Sequence, residues 1–208
     1  YTMPAPIAQW EHLHPVTVQA PVPAAVTGAP RSSTVTVGET ARFTARVTGA
    51  DSLQWQSRTR SGAWRDVTGA RGTSLKVAAS SVTLSGTQYR IVASNAAGSV
   101  TSAAATLTVR KATPAVTLTS KTLRFGSRPT VTVRVSAPRG VRAEGAVVVR
   151  WGSKVVGKAI ARDGRATVRV SKALTPGTRT LRAEFTGNAD LARATSAKVR
   201  TKVTKAAA

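Results

Sequence analysis

Nine residues, Thr40 to Thr48, narrow the choice of fold more than any other stretch. Ala41, Phe43, Ala45 and Val47 alternate there with Arg42, Thr44 and Arg46, so an extended chain has one apolar and one polar face. A helix would scatter the same apolar groups around its circumference. Leu53-Gln54-Trp55-Gln56 and Tyr89-Arg90-Ile91 continue the two-residue period, and Gly38-Glu39, Gly49-Ala50-Asp51 and Asn95-Ala96-Ala97-Gly98 supply the turns between runs. Apolar residues at helical spacing are hard to find. Many short strands of this kind predict an all-β chain folded as sandwiches, with Trp55 pointing into the middle of the first.

At 208 residues and 41% hydrophobic content, the chain is long enough for two domains, each of about 100 residues and each with a modest core. Aromatic residues are only 4%, so the cores must be built mostly from Val, Leu and Ala. There is no cysteine, hence no disulfide and none of the ~2–4 kcal/mol that one typically contributes. No apolar run reaches membrane-spanning length, and no membrane insertion is expected. Residue 1 is Tyr rather than Met, and the chain reads as a processed or excised piece. Pro4, Pro6, Pro15, Pro21 and Pro23, closed by Pro30, make residues 1–30 a Pro-rich linker or the tail of a preceding domain, because proline removes the donor that strand pairing needs. Trp10 and Leu13 suggest that this leader docks on a neighbour. His12 and His14 share one side of an extended chain, but no acid or cysteine cluster completes a metal site, so none is expected.

Strand patterning runs from Ser33 to Val109, is interrupted at Arg110-Lys111-Ala112-Thr113-Pro114, and resumes at Val116-Thr117-Leu118-Thr119. Further strands are predicted over Thr130 to Val135, Ala146 to Trp151, Val155 to Ala161, Arg165 to Val170, Thr178 to Phe185 and Ala197 to Val203. The divisions are therefore residues 31–111 and 112–208, and limited proteolysis is expected to cut at the boundary between them or in the leader. Trp64, a single aromatic in a strand, is expected to pack rather than to serve as a binding platform.

Thr36-Val37-Gly38-Glu39-Thr40-Ala41-Arg42-Phe43, Leu53-Gln54-Trp55-Gln56, Trp64-Arg65-Asp66-Val67 and Gln88-Tyr89-Arg90 with Ser94 to Gly98 resemble immunoglobulin-like (Ig-like) domains of bacterial secreted and surface proteins. In immunoglobulin domains two core cysteines flank a buried tryptophan, with a tyrosine two residues before the second cysteine. Ala45, Trp55, Ile91 and Tyr89 fall at those places. Tyr89 is then expected to tie its hydroxyl to nearby backbone. Gly145-Ala146-Val147-Val148-Val149, Leu174-Thr175-Pro176-Gly177-Thr178 and Phe185-Thr186-Gly187-Asn188-Ala189-Asp190-Leu191 resemble the bacterial Ig-like repeats that occur in tandem on cell surfaces. The resemblance implies two tandem Ig-like β-sandwiches, preceded by the linker, at a secreted or cell-surface location.

Catalytic signatures are missing from the residues themselves. Both histidines lie in the leader, no Gly-x-Ser-x-Gly elbow or phosphate-cradling glycine loop occurs, and the eight acids sit in turns or on outward strand positions. No enzyme activity and no cofactor are expected of this stretch. Asp190 reads as a turn residue capping local backbone. Asn95 and Asn188 both fall in turns, unsuited to an isopeptide cross-link with lysine.

Charge is the remaining functional signal. The formal net charge is +23, and residues 113–208 carry 20 Lys and Arg against 4 acids, while residues 1–112 carry 11 against 4. Alternation places Arg134 and Arg169 on one outer face of the second domain, and Arg150, Arg182, Lys198, Arg200 and Lys202 on the other. These seven are the candidate polyanion-binding residues, with cell-wall polymers, other acidic polymers or glycans as partners. No aromatic residues interleave with the charges and no recognition helix is available, so no specific nucleic-acid recognition is expected. The expected function is a structural or adhesive module that spaces or anchors a neighbouring domain at its N-terminal side. The alternatives are accessory C-terminal domains of an extracellular enzyme and a virion surface protein.

Overall fold

The computed structural model describes residues 20–205, except 128, 172 and 173. Trp10, His12, Leu13 and His14 lie outside the described residues. The first ten strands are β1 (Ala25–Gly28), β2 (Ser33–Thr36), β3 (Thr40–Thr44), β4 (Arg46–Thr48), β5 (Ser52–Thr59), β6 (Arg65–Asp66), β7 (Ser74–Ala78), β8 (Thr87–Asn95), β9 (Gly98–Thr101) and β10 (Ala105–Arg110). One layer runs β2-β10-β8-β5-β6, with β9 beside β8; the other holds the pairs β1-β4 and β3-β7. Phe43 of β3 stacks on Tyr89 of β8 with ring centroids 4.8 Å apart, which joins the two layers through the core. Trp55 is fully buried, pairs across the ladder with Ile91, and donates its indole N–H to the Gly72 carbonyl at 2.8 Å. A large ring can be buried here because its polar atom is satisfied.

The remaining strands form a second sandwich: β11 (Ala115–Thr119), β12 (Leu123–Arg124), β13 (Thr130–Ser136), β14 (Gly145–Trp151), β15 (Lys154–Ala161), β16 (Arg165–Arg169), β17 (Gly177–Phe185), β18 (Ala194–Thr195) and β19 (Val199–Thr204). Its layers are β11-β13-β16 and β12-β19-β17-β14-β15, with β18 beside β17. Val131, Val133 and Val135 of β13 point inward between exposed Thr and Arg, and Val147, Val149, Leu181 and Phe185 line the opposing layer. Among the described residues the strands pair only within β1–β10 and within β11–β19.

Three expectations are corrected. Ala25–Gly28, placed in the linker, is a strand pairing antiparallel with β4; the prolines flank it at 23 and 30 rather than interrupt it. The strand patterning that runs on to Val109 ends in two strands, β9 and β10, because Ser102 breaks it while keeping the hydrogen bonds: its N–H donates to the Ile91 carbonyl at 2.9 Å and its Oγ accepts from the Ile91 N–H at 3.0 Å. The second sandwich repeats the device, with Ser196 N–H donating to the Ala183 carbonyl at 2.8 Å and Ser196 Oγ accepting from the Ala183 N–H at 2.9 Å. Finally, the Tyr89 hydroxyl makes no backbone hydrogen bond among the described residues; the ring is held by burial and by Phe43, and burial raises its hydroxyl pKa.

Candidate functional site

The outer faces of the second sandwich carry the predicted basic residues, and the structure divides them. On the β11-β13-β16 face Arg134 stands directly across from Arg165, and Arg169 across from Thr130. Arg162 pairs with Arg165 in the tight turn after β15. Paired residues point their side chains to one side, so Arg162, Arg165 and Arg134 form a transverse row that continues to Thr117 on β11. All three arginines are exposed, and none has an ion pair among the described residues. Arg165 and Arg162 were not among the sequence candidates. Arg165 shares the parity of Arg169, a signal present in the sequence, but its position opposite Arg134 depends on a register that only the fold supplies.

The opposite face is less available. Arg150 and Arg182 are cross-strand partners, yet each is tied down. Arg150 Nε pairs with Glu184 at 3.2 Å and its Nη1 donates to the Ser153 carbonyl, while Arg182 donates to the Ser196 carbonyl at 3.1 Å and to Thr195 Oγ1 at 2.9 Å. Arg193 Nη2 closes on the other oxygen of Glu184 at 2.7 Å. Burial alone would raise the Glu184 carboxyl pKa, but the hydrogen bonds and charges of Arg193 and Arg150 outweigh it and hold the group below its ordinary range. Arg200 and Lys202 lie opposite Thr180 and Thr178, exposed like Lys198 just before the strand. The seven candidates therefore occupy two opposite faces and converge on no single cleft.

In the first sandwich the half-buried Trp64 lies against the outer sheet face, not in the core. The guanidinium carbons of Arg90 and Arg58 sit 4.1 Å and 4.6 Å from its ring centroid. Each arginine is oriented by a glutamine: Arg58 Nε donates to Gln88 at 2.8 Å and Arg90 Nε to Gln56 at 2.9 Å, and Gln56 in turn donates to Asp66. The interlocked row fixes the β5-β6 hairpin, which is a packing role.

A third feature joins the sandwiches. Asp190, expected to cap its own turn, instead accepts from Ser81 Oγ and from the Val82 N–H of the first sandwich, both at 2.8 Å. Asn188 does the local capping, its Oδ1 accepting from the N–H groups of Asp190 at 2.9 Å and Leu191 at 2.7 Å. Between the sandwiches Ala112 is 2% exposed, donates to the Asp190 carbonyl at 3.0 Å and accepts from the Ala192 N–H at 2.8 Å. Lys111 Nζ reaches the Asn188 carbonyl at 2.6 Å. Gly38 meets Pro138 and Val141 so closely that a Cβ there would lie 2.7 Å from the proline Cβ, and its φ of 94° already favours glycine. Among the described residues no three of His, Cys, Asp or Glu are grouped to hold a metal ion.

Paired sandwiches, each with its first two strands in opposite layers, define tandem immunoglobulin-like domains. Residues 116–204 match the family model described as bacterial Ig-like domain (group 3), so the resemblance of the second sandwich to bacterial Ig-like repeats is borne out. Endoglucanase C of Cellulomonas fimi is 50% identical over 101 residues, which cover 47% of this chain and 9% of that protein. The chain thus spans a small fraction of that curated relative. Among solved structures, the titin domain pair in complex with telethonin aligns with TM-score 0.46 at 20% identity, over 91% of this chain and 100% of the other. The N-terminal two-domain Ig module of the Drosophila receptor tyrosine phosphatase DLAR aligns with TM-score 0.34 at 17% identity, over 88% of this chain and 99% of the other.

Proposed function

We propose that these two sandwiches are a non-catalytic structural module of a secreted or surface-displayed bacterial protein, a spacer that sets the distance and direction of its neighbours. The supporting observation is the joint. A flexible linker would leave Ala112 solvated, whereas its N–H and carbonyl are paired and the Asp190 carboxylate grips the first sandwich. Nitrogen-15 relaxation of the full chain tests this: both sandwiches are expected to tumble with one rotational correlation time. Two distinct times would mean that the joint does not hold.

Similarity to an endoglucanase favours one placement of such a spacer, as an accessory part of an extracellular polysaccharide-degrading enzyme. In that setting the arginine row gains a second role, adhesion to acidic polymers. Like charges directly across a ladder are destabilising, and an anion lying over Arg162, Arg165 and Arg134 would relieve that repulsion. The full chain is expected to bind polyglutamate at low salt and to release it steeply toward physiological salt, through screening and counterion release. Replacing Arg134, Arg165 and Arg169 with Gln should flatten that salt dependence; an unchanged slope would leave these charges a solubilising role only.

A further inference from the structure

We propose that the first sandwich holds a phosphate-binding basin, independent of the basic faces of the second. An open basin of about 620 Å³ lies over the β1-β4 edge, lined by Thr27, Gly28, Ala29, Arg31, Arg42, Thr44 and Arg46. Its construction follows from the alternation in Thr40 to Thr48. Arg42, Thr44 and Arg46 occupy successive outward positions along β3 and β4, while Phe43 and Ala45 between them are buried. The register between β1 and β4 slips between Val26 and Gly28, so Thr27 has no cross-strand partner and Gly28 stands opposite Arg46. Such bulges re-aim side chains. The bare Cα of Gly28 lies under the arginine stem: a Cβ there would come 3.2 Å from Arg46 Cβ, 3.4 Å from Cγ and 3.5 Å from Cδ. Arg42 is steadied from the other side, its Nη1 donating to Ser74 Oγ at 3.1 Å.

Three guanidinium-bearing side chains thus line one hollow whose lining contains no acid, and none of them has an ion pair among the described residues. On an ordinary solvated face arginines spread apart or pair with carboxylates. Charge complementarity favours an anion, and the number of donors bears on its kind. A carboxylate offers two oxygens, whereas a phosphomonoester offers three and carries about two negative charges near neutral pH. Three forked cations match the second better. The basin is also larger than a phosphate group needs and falls in the size range of small-molecule sites. Thr27 and Thr44 also line the basin, and their hydroxyl-bearing side chains suit a polyol or sugar body, so the occupant is a phosphorylated polyol or sugar.

The test is titration of the full chain with glycerol 3-phosphate at low salt, followed by amide chemical shifts, with glycerol and glucuronate run in parallel. Expected is saturable binding with shifts confined to 27–31 and 42–46, absent with glycerol and much weaker with glucuronate. Replacing Arg31, Arg42 and Arg46 with Gln should abolish it. Gly28→Ala leaves the charge unchanged but displaces the Arg46 stem, and should weaken binding by about threefold or more. Substituting Arg134, Arg165 and Arg169 should leave it untouched, which separates this site from the polymer-binding reading of the second sandwich. Absence of saturable shifts, equal binding of glucuronate, or wild-type affinity in the triple variant or in Gly28→Ala would overturn the proposal.

Discussion

Two buried hydroxyl residues in the second sandwich show how differently similar side chains contribute. Ser196 is 2% exposed, and its Oγ takes the Ala183 N–H that the broken strand would leave without a ladder partner. Thr201 is 3% exposed, and its Oγ1 has no hydrogen-bond partner among the described residues. Removing the first strands a buried donor, which costs roughly 1–3 kcal/mol; replacing the second with an isosteric methyl removes an unsatisfied atom and is neutral or stabilising. Urea unfolding of the full chain, followed by the amide resonances of β17 and β19, should therefore show Ser196→Ala clearly destabilised and Thr201→Val at or above the wild-type midpoint. Equal losses in both would contradict these assignments. Neither role could be read from the sequence, where Ser and Thr at strand positions look interchangeable. Trp55 was legible there, because a large aromatic flanked by alternating apolar strands has few destinations other than a core.

At the scale of elements, parity proved a sound guide and pairing did not. Alternation in Thr130 to Val135 assigns every side chain of β13 to its observed face, since a strand's two sides follow from the backbone alone. Which residue stands opposite depends on register, set by turns and contacts far away in the chain. The Arg162, Arg165 and Arg134 row was hidden for that reason, and so was the engagement of Arg150 and Arg182, whose partners Glu184, Ser196 and Thr195 belong to neighbouring strands or turns. Proline counting misplaced β1 for a related reason. A four-residue edge strand fits between Pro23 and Pro30 without using either. The basin over β1 and β4 depends on the bulge in that pairing, so it too lay beyond the reach of a linear reading.

Across the whole molecule the decisive contact spans 109 positions, from Ser81 to Asp190, and a turn-like Asn-Ala-Asp step gives no sign of it. Its consequence is for the boundary. Arg110-Lys111-Ala112 looks like an exposed, cleavable linker in the sequence, and trypsin would be expected to cut after either basic residue. In the structure Arg110 ends β10, the Lys111 ammonium is bonded to the second sandwich, and Ala112 is buried with its backbone paired to Asp190 and Ala192. A protease needs several residues of extended, accessible chain, so cleavage here must await opening of the joint. Trypsin should therefore cut first at exposed positions such as the Arg60 turn, and the 110–112 segment should resist in the intact chain. Asp190→Ala removes the carboxylate that holds Ser81 and Val82 without touching either core, and should make cleavage after Lys111 markedly faster while both sandwiches keep their unfolding midpoints. Rapid cleavage at Lys111 in the unsubstituted chain, or a rate that Asp190→Ala leaves unchanged, would show that the carboxylate clasp does not govern the joint.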